Sequence, residues 1–233
     1  MHVSRSTRNE ALTTQGPSNH AGTWTWTASA GAVEVRFIGR SPGRNLPESA
    51  EPHLPEGYAS SWVHQVHGAD VLDARAGCSG EGDALTTSER DLGLVVVTAD
   101  CVPIVIGSDT ELAVVHAGWR GIVAGVIPAA FERLSTGDRE LSVLIGPAIG
   151  ACCYEVGDDV AEQISNASST DVIVDRGQPH ADLQAAAVAQ VSAAGADRIS
   201  VISRCTACDA QRLHSYRRDG ANAGRNLTLA WLR

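Results

Sequence analysis

The stretch LVVVTADCVPIVIGSDTELAVVHAGWRG, Leu94 to Gly121, decides how this chain is read. Two apolar segments, Leu94 to Thr98 and Leu112 to Val115, read as neighbouring strands, and each runs into a reactive side chain, Cys101 after the first and His116 after the second. A thiol and an imidazole delivered side by side suit either a nucleophile with its base or two metal ligands. The tight Gly118-Trp119-Arg120-Gly121 turn adds backbone amides and a guanidinium at the same place. Cysteine also fills cores as a small apolar residue, and a single histidine often only satisfies a buried hydrogen bond. The polar Asp100 beside Cys101 and the glycines around Trp119 weigh towards a site.

Working outward, His64-Gln65-Val66-His67-Gly68 offers further ligands. Alternation along a strand would put His64 and Val66 on one face and Gln65 and His67 on the other, so the two histidines would not share a site. Val33 to Ile38 alternates as a strand, and the proline and glycine cluster from Ser41 to Gly57 predicts an irregular connection bordering the site. Ile122 to Leu134 reads as a helix, with Pro128 either kinking it or marking its true first turn. Leu141 to Ile145 reads as a buried strand, and Asp158 and Asp159 open a short helix. Leu183, Ala187 and Val191 recur at helical spacing, with Asp182 at the start and Gly195 at the end, and that helix packs on a sheet containing Ile199 to Ile202. Residues 1–22 are polar, lack periodicity and read as a disordered arm. The mixed order of strands and helices predicts an α+β fold: a single domain over residues 23–233, with mixed β-sheets flanked by helices.

At 233 residues and 43% hydrophobic content the chain can bury one substantial core. A net charge of -9 and a pI near 5.3 argue against a nucleic-acid partner, which requires a basic face. All 18 cationic residues are arginine, which excludes Schiff-base chemistry and a lysine base. The apolar runs are too short to span a bilayer, and no secretory signal opens the sequence, so a soluble, cytoplasmic protein with reduced thiols is expected. Cys205-Thr206-Ala207-Cys208 has the spacing of half a zinc ribbon or a redox pair, but no second such pair occurs. It and the adjacent Cys152 and Cys153 are read as structural thiols.

The ordered segments Gln65-Val66-His67-Gly68, Gly82-Asp83-Ala84-Leu85, Thr98-Ala99-Asp100-Cys101-Val102-Pro103, Val115-His116-Ala117-Gly118-Trp119-Arg120-Gly121, Ile145-Gly146-Pro147 through Cys153-Tyr154-Glu155-Val156, and Ser215-Tyr216-Arg217-Arg218-Asp219-Gly220 resemble the laccase-domain family over residues 58–233. That family is variously called polyphenol oxidase, peptidoglycan editing factor and purine nucleoside phosphorylase. The resemblance implies a zinc site made by His67, Cys101 and His116, and a set of three N and S ligands agrees with a catalytic zinc that keeps its fourth position open. The same donors accept copper, but a multicopper oxidase needs paired histidine clusters, and this chain has eight histidines with His2 and His20 in the arm. The resemblance further implies phosphorolysis of adenosine, inosine and methylthioadenosine, and hydrolytic deamination of adenosine. Arg120, Arg217 and Arg218 are the candidate phosphate-binding residues. Asp83 and Asp100 are candidate proton carriers or orienters of ligating histidines.

The N-terminal region departs from the family: only Asn45-Leu46 matches its usual Asn-Leu, which makes Asn45 a candidate substrate contact. Two rival readings stand beside the zinc enzyme. One is a cysteine hydrolase acting in peptidoglycan-precursor editing, with Cys101 as nucleophile and His116 as base. The other is a non-catalytic envelope or division accessory protein with a vestigial site.

Overall fold

The computed structural model describes residues 13–42, 45–134, 140–196 and 198–233. In chain order it runs through β1 (Thr13–His20), β2 (Thr23–Ala30), β3 (Val33–Ile38), β4 (Ala59–His64), β5 (Val71–Asp73), β6 (Gly77–Glu81), β7 (Ala84–Thr87), β8 (Leu92–Thr98), β9 (Val102–Gly107) and β10 (Leu112–Ala117). Helices α1 (Trp119–Ala124) and α2 (Val126–Arg133) follow, then β11 (Ser142–Ile145), α3 (Asp158–Ser168), β12 (Ile173–Asp175), β13 (Pro179–Ala181), α4 (Leu183–Ala193), β14 (Arg198–Val201), α5 (Tyr216–Asp219) and β15 (Asn226–Leu232). Among the described residues the strands form a seven-stranded sheet, β1-β2-β3-β15-β8-β4-β6, a six-stranded sheet, β14-β11-β9-β10-β7-β5, and the small pair β12-β13. Both large sheets are mixed: β4 runs parallel to β6 and β8, β11 to β14, and β5 to β7. This is the expected α+β architecture, in one domain.

Period-two alternation stacks the layers. Leu94 and Val96 of β8 meet Leu112 and Val114 of β10 and Val105 of β9 in the core between the two sheets. The opposite face of the six-stranded sheet sends Ile104, Ile106, Ala113, Val115, Val143 and Ile145 against the helices. The outer face of the seven-stranded sheet packs Val95 and Leu229 against Ala50 and Leu54. Each fully buried aliphatic side chain contributes roughly 1.5–3 kcal/mol relative to exposure.

Four expectations change. First, β8 and β10 are not neighbours in one sheet: the chain leaves the seven-stranded sheet after Thr98 and enters the six-stranded one at Val102, so Cys101 lies on the crossing between sheets. Second, β1 forms inside the segment read as a disordered arm. It is an edge strand, paired only with β2, and its largely exposed polar side chains carry no apolar alternation to betray it. Residues 1–12 of that arm lie outside the described residues. Third, the turn at Gly118 to Gly121 is the first turn of α1, which breaks at the left-handed Gly125 (φ 84°). Pro128 then falls in the first turn of α2, where its missing N–H removes no helical bond. Fourth, the proline-rich link contains two single 3-10 turns, Pro47–Ser49 and Glu51–His53, and covers the outer sheet face. Helix α4 forms as expected, with Asp182 accepting a hydrogen bond from the Ala185 amide at 2.9 Å.

Candidate active site

His116 continues the face of β10 that carries Leu112 and Val114, so it is directed between the sheets rather than towards the helices. There it meets Asp83, just before β7: Nδ1 of His116 lies 2.7 Å from Oδ1 of Asp83, and the Asp83 carbonyl accepts from the His116 amide at 2.7 Å. Asp83 is fully buried, and its carboxylate also accepts from the amides of Val66 (3.2 Å), His67 (3.0 Å) and Gly68 (2.6 Å). Burial pushes the Asp83 carboxyl up, but the His116 ring and these amides outweigh it and hold it below the usual carboxylate range.

The 65–68 segment is not a strand. β4 ends at His64, and His67 adopts a left-handed conformation (φ 61°) that turns its ring towards Cys101, with Nε2 and Sγ 4.0 Å apart. That backbone conformation is uncommon for a non-glycine residue, and the three amide bonds to Asp83 hold it. The side chain of Gln65 bonds Val97 of β8 in both directions at 2.8 Å, as an extra rung of the sheet.

One ligand atom each from His67, Cys101 and His116 lies within 4.8 Å of the others, and the two imidazoles meet edge to face with centroids 4.8 Å apart. His64, although it lines the same cavity, is outside this group. The backbone opens room for the cluster at Gly118, where a Cβ would sit 3.0 Å from both Cys101 Sγ and His67 Cδ2. Burial raises the Cys101 thiol, but the neighbouring imidazoles of His116 and His67 bring it down to about 6. His116 is lowered by burial and raised more strongly by Asp83 and Cys101, to about 9. The site therefore favours a thiolate, the form that binds metal or attacks carbon.

These residues line a cavity of about 700 Å³ together with Trp119, Arg120, Tyr154, Tyr216, Arg217 and Arg225. Arg120 lies over the Trp119 ring at 4.5 Å. Arg217 lies over Tyr154 at 5.0 Å and donates to the carbonyls of Cys153 (3.3 Å) and Glu155 (3.0 Å). Asp100, in a left-handed conformation (φ 101°), touches no ligating histidine: it accepts from Thr206 Oγ1 at 2.5 Å and from the Arg217 amide at 2.7 Å. Its hydrogen bonds go to the cavity wall.

Two expected substrate contacts serve the framework. Arg218 is absent from the cavity lining: its guanidinium donates to the carbonyls of Thr206, Ala207 and Leu213 and pairs with Asp219. Asn45 is buried behind the wall, where its amide donates to the carbonyls of Gly39 and Arg225 at 2.7 and 2.8 Å and accepts from Ser41. The residues that sequence reasoning missed are Gln65, Trp119, Tyr154, Tyr216, Arg225 and Thr206. All but Arg225 stand inside segments already quoted, Thr206 within Cys205-Thr206-Ala207-Cys208, so membership of a motif was the available signal.

Residues 49–233 match the family described as multi-copper polyphenol oxidoreductase laccase. The chain belongs to this family. It is 37% identical over 187 residues to a Xylella fastidiosa relative named purine nucleoside phosphorylase, covering 73% of this chain and 71% of that one. It is 33% identical over 178 residues to the Escherichia coli relative named purine nucleoside phosphorylase YfiH, covering 73% of each. Crystal structures of Neisseria meningitidis protein NMB0706 (TM-score 0.76, 26% identity, 89% of this chain and 98% of that one) and of YlmD from Geobacillus stearothermophilus (TM-score 0.72, 27% identity, 87% and 92%) share the fold. The family match starts after β1, β2 and β3, in keeping with the divergent N-terminal region. Whatever the family's description says of copper, the described residues of this chain gather only His67 and His116 among their histidines into a metal-ligating group. Multicopper chemistry needs paired histidine clusters. No helix among the described residues is long and apolar enough to cross a membrane.

Proposed function

We propose that the chain is a zinc-dependent purine nucleoside phosphorylase, acting on adenosine, inosine and methylthioadenosine with phosphate, that also deaminates adenosine. The observation that carries this reading is the convergence of His67, Cys101 and His116 on the wall of the 700 Å³ cavity, in a chain whose relatives bear the phosphorylase name. The donors fit zinc. Two imidazoles and a thiolate would hold it with a coordination position to spare, Asp83 fixes the His116 tautomer by accepting the hydrogen bond from Nδ1–H, and the missing Cβ of Gly118 leaves the space clear. Zinc held by these residues would supply Lewis-acid polarisation to a substrate or solvent atom. Copper fits the donors less well as a working metal, since a second histidine cluster is lacking among the described residues.

The chain's own residues divide the remaining work. Arg217, seated on two carbonyls and a ring, and Arg120 bring fixed positive charge to the cavity for phosphate. Trp119, Tyr154 and Tyr216 offer stacking faces for a purine. Burial and the nearby Cys101 push the Tyr154 hydroxyl up to about 12, so it keeps its proton and serves as a donor. In phosphorolysis a phosphate oxygen bonds the sugar C1′ as the bond to the purine breaks. In deamination water adds at the purine carbon that loses ammonia.

A second reading has its own support. A Cys101 thiol held near 6 beside a raised His116 is also the electrostatic signature of a covalent cysteine catalyst, as in a peptidoglycan-precursor hydrolase. Incubation of the purified protein with adenosine tests the first reading. Adenine and ribose 1-phosphate are expected with phosphate, and inosine without it. Adenosine left intact under both conditions overturns the proposal.

A further inference from the structure

The two cysteine pairs that look unrelated along the chain meet in space. The sulfurs of Cys152, Cys153, Cys205 and Cys208 all lie within 4.8 Å of one another. Their meeting is built into the backbone: Ala148 bridges Cys205, the Thr206 amide donates to the Ala148 carbonyl at 3.0 Å, and a turn on the Gly150 carbonyl carries Cys152 and Cys153 round to face the second pair. We propose that these four thiols hold a second metal ion, a structural zinc, which fastens the 205–208 loop to the cavity wall.

Three observations carry this. Cys208 Sγ is nearly equidistant from the sulfurs of Cys152 (3.5 Å) and Cys153 (3.3 Å), as an ion shared by all requires and a single disulfide does not. A tetrahedral zinc with Zn–S bonds of about 2.3 Å places its sulfurs about 3.8 Å apart; the sulfurs of Cys152 and Cys153 lie within about half an ångström of that spacing from Cys208, and no pair of the four is further apart than 4.8 Å. Cys205 and Cys208 have the two-residue spacing of one half of a structural zinc site, and the Gly150 amide points at Cys205 Sγ from 3.3 Å, a donor that a thiolate accepts. Four ligands close the coordination sphere, in contrast to the three at His67, Cys101 and His116. Binding replaces up to four thiol protons by one Zn²⁺ with no redox change. Arg218 sets its positive charge against the resulting dianionic centre through the carbonyls of Thr206 and Ala207.

The loop so fastened reaches the active cavity twice. Thr206, between the two cysteines, donates to Asp100, which seats the Arg217 amide, and the Cys153 carbonyl accepts from the Arg217 guanidinium. The second zinc is thus a positioning element for Arg217. This inference stands independently of the proposed activity, because the two clusters share no ligand.

The test uses the full chain in a Cys101→Ser background, which removes the thiolate of the other cluster. Elemental analysis after exhaustive dialysis should find one zinc per chain, lost when Cys152→Ser and Cys208→Ser are added. Cobalt in place of zinc should show the intense thiolate-to-metal band of a tetrahedral thiolate site. Unsubstituted protein gives a readout that does not depend on any variant folding: mass spectrometry after alkylation should find the four cysteines protected until a chelator is added. Free alkylation without chelator, or a disulfide joining two of the four, overturns the proposal. Loss of nucleoside turnover with the four cysteines still protected counts against the activity and leaves the second zinc standing.

Discussion

His116 and Asp83 meet through Nδ1 and Oδ1 at 2.7 Å, both side chains buried, and this contact decides which ring nitrogen is left for chemistry. With Nδ1 committed to the carboxylate, Nε2 is the nitrogen available to a metal. The same carboxylate takes the amides of residues 66–68, so one buried anion positions ligands from two separate parts of the chain.

Replacing this carboxylate should therefore strike the metal before the fold. Asp83→Asn sets an amide NH₂ against donors already pointing at it, and it is expected to lower zinc affinity about 10- to 100-fold. Competition against a chromophoric chelator measures this. Unchanged affinity would show that Asp83 does not orient the ligands.

Gly118 has ordinary extended dihedrals (φ -76°, ψ 171°), so an added methyl group strains no backbone torsion there. Its Cβ would instead press on Cys101 Sγ and His67 Cδ2 at 3.0 Å. Gly118→Ala is expected to cost the metal-free chain about 1 kcal/mol by overpacking and to weaken metal binding about tenfold or more. Paired thermal melts and metal titrations separate the two effects, and full metal affinity in the variant would contradict this packing.

Arg217 and Arg218 are adjacent yet should behave differently. Arg217→Ala is expected to raise the phosphate KM about tenfold to a hundredfold, the value of a lost charge-assisted contact, while sparing deamination by comparison. Arg218→Ala leaves the carbonyls of Thr206, Ala207 and Leu213 without their donor and should cost about 2–4 kcal/mol of stability in urea denaturation. A phosphate KM that moves only in Arg218→Ala would reverse these roles.

That adjacent pair also marks where the sequence stops being legible. The convergence of His67, Cys101 and His116 was readable because each of the three sits in its own motif segment. Which of two neighbouring arginines faces a cavity depends on the rotation of the single-turn helix α5, and on Asp219 being there to hold the other. The sheets were legible where side chains alternate between two apolar layers, as from Leu94 to Val96 and from Leu112 to Val115. Alternation within a strand carries no information on which sheet the strand joins, so the crossing at Cys101 was hidden. β1 was hidden for the opposite reason, having few apolar side chains to alternate. The four-cysteine cluster depends on the bridge between Ala148 and Cys205, a contact between segments distant in the chain.

His214 gives a pH signature of its own. Burial, reinforced by Arg40, lowers it from 6.5 to about 4, and its Nε2 has no hydrogen-bond partner among the described residues. Folded protein keeps the ring neutral while unfolded chain protonates it near 6.5, so its contribution is complete above that pH and is lost as pH falls towards 4. Such a shift is worth at most about 3 kcal/mol, and solvent screening reduces it to about 1–2 kcal/mol. Urea denaturation at pH 7 and pH 4.5 should show a loss of that size that His214→Phe removes. Identical pH profiles for the two proteins would contradict it.

The most direct test is turnover of adenosine and inosine by protein stripped with a chelator, verified metal-free by elemental analysis, and then resupplied with zinc. Phosphorolysis and deamination are both expected to disappear on stripping and to return with zinc, and Cys101→Ser should lack both throughout. Full turnover by the metal-free chain, abolished by stoichiometric alkylation of Cys101, would contradict the zinc site and make Cys101 and His116 a covalent catalytic pair.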